Sequence, residues 1–113
     1  MVPTAIIALS EEECLALIPP TGIGRVAITV GALPAIIPIR YRWSQPGIVL
    51  SPPLDARHAA AVTDAVINFE TDSFSVTGAG WTVNITGRTI PTESSDEQLL
   101  PFAIASGQRY ESL

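Results

Sequence analysis

Arg57-His58 is the pair whose residue types and position point most directly to chemistry. It follows Asp55 in the predicted first turn of an alanine-rich helix, just after a strand end. Free amides and the positive end of the helix dipole favour an anion there, and a guanidinium grips phosphate at two points. The plainer reading is a solvated arginine. Arg40 and Arg42 project from one face of a predicted strand beside Ile36 and Pro38. They decorate a wet face or form a second cationic wall beside an anionic ligand. Gly80-Trp81-Thr82 opens the longest predicted strand. An indole there fills the core or stacks on a planar heterocycle at a pocket rim. Ser51, Asp55 and His58 are the residue types of a hydrolase triad, but they lie close together with no nucleophile elbow, so chance co-occurrence explains them. Gly22-Ile23-Gly24 precedes a strand rather than a helix and fails the context of a dinucleotide-binding loop.

Composition narrows the chemistry. The chain has 113 residues, so one domain spanning 1–113 is expected, with a modest core. It is 47% hydrophobic and 15% charged, which excludes a disordered chain or a coiled coil. All six basic residues are arginines, so lysine chemistry is excluded. A net charge of −5 argues against sequence-independent binding of nucleic acid. One histidine and one cysteine, Cys14, do not make a zinc site, and no metal is expected. The longest uncharged apolar run, Val26 to Ile39, is too short to span a membrane and contains Pro34 and Pro38. The apolar run Ala5 to Leu9 has no basic residue before it and lacks signal-sequence length. A soluble cytoplasmic protein is expected.

The elements that must position these residues follow from periodicity. Ser10, with Glu13 three residues on, is a capping box for a helix ending near Ile18, before Pro19-Pro20. The period then changes to two. Arg25 to Val30 reads as a strand, Gly31 to Pro34 as a tight connection, and Ala35 to Trp43 as a second strand. Ile37, Ile39, Tyr41 and Trp43 share one face of that second strand; Ile36, Pro38, Arg40 and Arg42 share the other. Ser44 to Gly47 is a turn and Ile48 to Leu50 a short strand. Asp55 caps a helix over 56–63, and Val66 to Glu70 returns to strand. Thr71 to Ala79 is expected as loop and Gly80 to Ile90 as strand. Ser94-Ser95-Asp96-Glu97 starts a predicted helix ending near Pro101, and Gln108 to Leu113 could begin a further strand. Five to six strands in mostly hairpin order, with short peripheral helices, predict a mainly β protein: a small antiparallel barrel.

With strands and spacings placed, the chain resembles the pyridoxamine 5'-phosphate oxidase-like family of flavin-binding split β-barrels, in particular its short actinobacterial members. The resemblance covers about residues 9–110. It rests on Leu9-Ser10 through Cys14, Gly24-Arg25-Val26-Ala27, Pro38, Phe69-Glu70, Gly80-Trp81-Thr82-Val83 followed by Gly87-Arg88, and Leu100-Pro101-Phe102. It implies a homodimer with flavin mononucleotide, or in some relatives the deazaflavin coenzyme F-420, in grooves between subunits. The phosphate is expected where the third strand passes into the next helix. Ser51 to Arg57 stands there, with Arg57 in a position that relatives fill with lysine. Pro52 and Ala56 remove hydroxyl donors found in relatives, and Asp55 adds a negative charge. Pro38, Ile39, Arg40 and Tyr41 are implied at the isoalloxazine edge, Ser51, Arg57 and His58 at the phosphate, and Trp81 against the ring from the partner subunit. Relatives continue past the segment matching Gln108 to Leu113 with a full closing strand, so the barrel is expected to be open or completed by its partner.

The function this implies is oxidoreduction by hydride transfer on a small molecule, with the ring supplying the chemistry. No dedicated acid or base is identifiable, and no substrate. The rival reading is a degenerate member without cofactor that serves as a dimeric binding or structural protein. A third is a haem binder with His58 as its imidazole ligand.

Overall fold

The computed structural model describes residues 5–53, 55–93 and 96–111. In chain order the elements are β1 (Ala5–Ala8), α1 (Glu11–Leu17), β2 (Thr21–Val30), β3 (Leu33–Ser44), β4 (Gly47–Leu50), α2 (Ala56–Val62), β5 (Val66–Phe74), β6 (Gly80–Arg88), β7 (Ile90–Pro91), β8 (Gln98–Pro101) and β9 (Ile104–Glu111). All strands join one antiparallel sheet of order β1-β9-β6-β5-β2-β3-β4-β8-β7. The sheet curls into a split barrel flanked by the two short helices.

The long β2–β3 hairpin follows from strict alternation. Val26, Ile28, Ile37, Ile39 and Tyr41 are buried, while the residues between them face outward. Its turn is Gly31-Ala32, with φ of 55° and 69°, the positive values that a two-residue turn of this kind requires. The curl encloses Val26, Ile48, Leu50, Phe69, Val83, Ile85 and Leu100, all at most 1% exposed. Tyr41 meets Phe69 edge to face at 5.0 Å. Gly47 begins β4 where a Cβ would collide with the Leu100 carbonyl, so only glycine lets β8 approach.

Both helix starts form as their sequences dictate. Ser10 accepts the Glu13 amide at 3.1 Å and Glu13 accepts the Ser10 amide at 2.9 Å. This bond holds the Glu13 carboxyl below its ordinary pKa. α1 lies on β9, where Cys14 is buried and its thiol is pushed up by desolvation; α2 lies on β2.

Several expectations are corrected. β5 runs on to Phe74 through residues expected as loop, because Thr71 to Phe74 pair with Gly80 to Val83 of β6. The helix expected from Ser94 to Pro101 begins at Ser94 and Ser95, which lie outside the described residues, but Gln98 to Pro101 is strand. Its Leu99 and Leu100 are drawn onto Val49 and Ile48 of β4. The last strand begins at Ile104 rather than Gln108 and pairs with β6 on one side and β1 on the other. β1 was not expected as a strand, and the strand expected over Gly80 to Ile90 ends at Arg88, with Ile90–Pro91 pairing onto β8 as the separate β7. No helix among the described residues is long and apolar enough to cross a membrane.

Candidate functional site

β3 displays Ile36, Pro38, Arg40 and Arg42 outward at two-residue spacing. Arg42 is tied to Glu97 on the segment before β8, at 3.2 Å. Arg40 makes no ion pair among the described residues. Its carbonyl instead accepts the Ser51 amide at 3.0 Å, which fixes the chain leaving β4 against β3. Pro38, Ile39, Arg40, Ser51, Pro52 and Pro53 thereby line one groove of about 320 Å³. It offers a free guanidinium and a hydroxyl above apolar walls, the donor set an organic phosphate requires.

The structure brings four of the expected residues together there: Pro38, Ile39, Arg40 and Ser51. The others do not line this groove. Ile39 and Tyr41 are both buried on the inner face; Ile39 still borders the groove, whereas Tyr41 does not. Burial raises its phenol pKa, opposed by a hydrogen bond with Thr71. Arg57 faces a different groove, between α2 and the β2–β3 turn, lined by Thr29, Val30, Gly31, Ala60 and Ala61. His58 is half-buried one residue on.

Two first-turn amides of α2 are not free for an external anion. Asp55 Oδ1 accepts the Arg57 amide at 2.9 Å and the His58 amide at 3.1 Å. The His58 amide, with the Arg57 amide adding to it, lowers the Asp55 pKa. Reading Asp55 as the cap was correct; the same reading removes the amides from any ligand. Ser51 and Asp55 show no bond to His58 that would form a triad. Among the described residues no group of three His, Cys, Asp or Glu side chains is placed to hold a metal ion.

Trp81 lies half-buried across the sheet from these grooves. It shares a hollow of about 390 Å³ with Leu17, Gly80, Arg109, Tyr110 and Glu111. Arg109 stands opposite Trp81 on β9 and faces Glu13 and Glu111, each at 3.7 Å. Sequence reasoning passed over Arg109; only the β6–β9 register brings it beside the indole.

Residues 10–104 match the family model of pyridoxamine 5'-phosphate oxidase. The chain belongs to this family. Solved structures agree with the split-barrel fold. The FAD-binding protein from Mycobacterium smegmatis is 26% identical, with a TM-score of 0.78 over 95% of this chain and 100% of that one. A pyridoxamine 5'-phosphate oxidase-like protein from Corynebacterium glutamicum is 14% identical, with a TM-score of 0.73 over 100% of this chain and 99% of that one. An FAD-binding protein from Mesorhizobium loti is 15% identical, with a TM-score of 0.73 over 96% and 98%. No curated protein matches the sequence.

Proposed function

We propose that the protein is a flavin-binding split barrel, a cytoplasmic oxidoreductase that works on a small molecule as a homodimer. The observation that carries this reading is the groove in which Arg40, a cation without an ion-pair partner among the described residues, stands beside Ser51 and the apolar Pro38, Ile39 and Pro53. Family membership and the FAD-binding proteins it resembles support a flavin as the occupant. Flavin mononucleotide is the form that suits one guanidinium. Arg40 and Ser51 hold its phosphate, Pro38 and Ile39 the apolar side, and Arg57 adds positive field from the neighbouring groove. Trp81 reaches the ring from the second copy. Bound flavin supplies hydride transfer; the chain supplies grip, orientation and exclusion of water.

One observation favours a second reading, a family member without cofactor that acts as a dimeric binding protein. Pro52 and Pro53 lack amides and Asp55 occupies those of Arg57 and His58, so the phosphate finds fewer donors than a helix start could give.

The visible spectrum of the purified protein, followed by fluorescence titration with flavin mononucleotide, FAD and the deazaflavin, separates the two. Saturable binding with a flavin is expected, and Arg40→Ala weakens it. A colourless protein that binds none of the three establishes the cofactor-free reading.

A further inference from the structure

Between α2 and the β7–β8 edge lies a hollow of about 590 Å³ that the flavin reading leaves unused, within the size range of small-molecule pockets. One face of α2 forms a wall: Ala56, Ala59, Ala60 and Thr63 recur at helical spacing, and their small side chains leave the space open. Pro91 of β7 and Gln98 of β8, paired with each other, form another wall. Gln98 is only 4% exposed. Its carbonyl accepts the Asp64 amide at 3.2 Å, which puts the side-chain NH2 at the other corner. Among the described residues that NH2 has no hydrogen-bond partner, yet no fully buried side-chain nitrogen or oxygen there is left unsatisfied. The NH2 therefore meets open space, and the open space that Gln98 lines is this hollow.

The polar groups around the hollow select its ligand. Gln98 donates. Asp96 accepts, and so does Thr63, whose own hydroxyl hydrogen is committed to the Ala59 carbonyl at 2.8 Å. Among the described residues no cationic side chain lines the hollow, and Asp96 repels an anion, so the ligand carries no negative charge there. The remaining walls are proline and alanine, which suit a flat apolar ring. The fit is a planar heterocycle with a ring acceptor beside several donors. Adenine has this pattern, with ring nitrogens that accept and an exocyclic amine that donates, and ribose adds hydroxyl donors. We infer that the hollow seats an adenine nucleoside, with a ring nitrogen on the Gln98 NH2 and the amine and ribose hydroxyls on Thr63 and Asp96.

Pro52 and Pro53 wall both this hollow and the Arg40 groove, so a 5'-phosphate leaving the hollow across them meets Arg40 and Ser51. Two sources share this chemistry: a free adenosine nucleotide and the adenylate end of FAD. The site stands on the side chains of the hollow itself, whether or not a flavin fills the groove beside it.

Titration of the isotope-labelled protein with adenosine, followed by the NMR signal of the Gln98 side-chain NH2 and by calorimetry, tests this. Saturable binding that shifts the Gln98 signal is expected. Inosine matches adenosine in size but reverses donor and acceptor on the six-membered ring. It should bind about tenfold more weakly, because it leaves polar groups unpaired. Gln98→Glu still accepts the Asp64 amide but has no NH2 to offer, and should cost adenosine about tenfold as well. Ala56→Leu narrows the hollow from an exposed position without touching Gln98 and should also weaken adenosine. Far-UV circular dichroism reports that each variant is folded. FAD bound about tenfold tighter than flavin mononucleotide, with the gap closed in Gln98→Glu, makes the FAD tail the occupant. Adenosine bound with no preference between the two flavins makes it a free nucleoside or nucleotide. An unshifted Gln98 signal, together with equal affinity for FAD and flavin mononucleotide, overturns the site. Inosine that binds as tightly as adenosine overturns the adenine assignment, and a folded Ala56→Leu or Gln98→Glu protein that binds adenosine as wild type does overturns the location.

Discussion

Arg40 shows how one residue's surroundings decide its role. Six arginines carry all the positive charge. Arg25, Arg42, Arg88 and Arg109 each face a carboxylate. Arg40 and Arg57 make no such pair among the described residues, and only Arg40 shares its groove with Ser51. Replacing Arg40 by alanine is expected to weaken flavin binding by about 1.5–3 kcal/mol, or roughly 12- to 150-fold, the usual cost of a hydrogen bond to a charged group. Arg57→Ala should weaken it less than about threefold. Isothermal titration of both variants checks the order; the reverse order moves the phosphate to α2. The sequence made the β3 half of this site legible, because a period of two fixes which residues share a face. It did not separate Arg57 from the groove. That separation depends on the direction in which α2 leaves the sheet, and no local pattern encodes it.

At the scale of elements, local signals were read well wherever the chain itself satisfies its hydrogen bonds. The capping box of α1 and the Asp55 cap of α2 are examples, since each carboxylate bonds amides within three residues. Both carboxyls are held below their ordinary pKa, so their stabilisation is present above the unfolded value near 4 and is lost as pH falls through the folded value. Helical circular dichroism should therefore decline on acidification below about pH 4.5, and Glu13→Gln with Asp55→Asn should flatten that decline. The Gly31-Ala32 turn is legible as a turn, yet Ala32 takes a left-handed φ that suits glycine. Ala32→Gly should stabilise the protein by about 0.5–1 kcal/mol, read as a higher urea midpoint with unchanged slope. Elements that rely on distant partners were not legible. Leu99-Leu100 becomes strand because β4 offers it a ladder and an apolar wall. The first half of β9 was missed because its inner positions there, Ala105 and Gly107, carry little apolar signal. Thr89 is another such case. It is fully buried, its hydroxyl donates to the Val62 carbonyl at 2.7 Å and accepts the Ala65 amide at 3.0 Å, and so it anchors α2 to β5. Thr89→Val leaves both partners unpaired and should cost about 1–3 kcal/mol for each in the same unfolding measurement.

The whole molecule couples these scales, because a curled sheet with one concave side must do its remaining work on its outer face. The inner side is filled around Phe69, Ile85, Leu100 and their neighbours. The Arg40 groove therefore opens outward, beside the same sheet face that exposes Ile36. Trp81 lies on the opposite side of the sheet from that groove, so one chain alone leaves the groove open above. If a second copy supplies the cover, flavin binding and association are a single linked equilibrium: ligand that prefers the dimer must draw monomers into it. Apparent flavin affinity should then weaken when protein is diluted below its dimer dissociation constant, and saturating flavin should raise the thermal midpoint. At a ligand concentration about 100 times Kd the stabilisation is about 2.7 kcal/mol. Fluorescence titrations at two protein concentrations on either side of that constant, with sedimentation in parallel, give the answer. An affinity independent of protein concentration, with flavin bound to a monomer, would show that Arg40 and Ser51 hold the cofactor without help and that Trp81 has no part in the site.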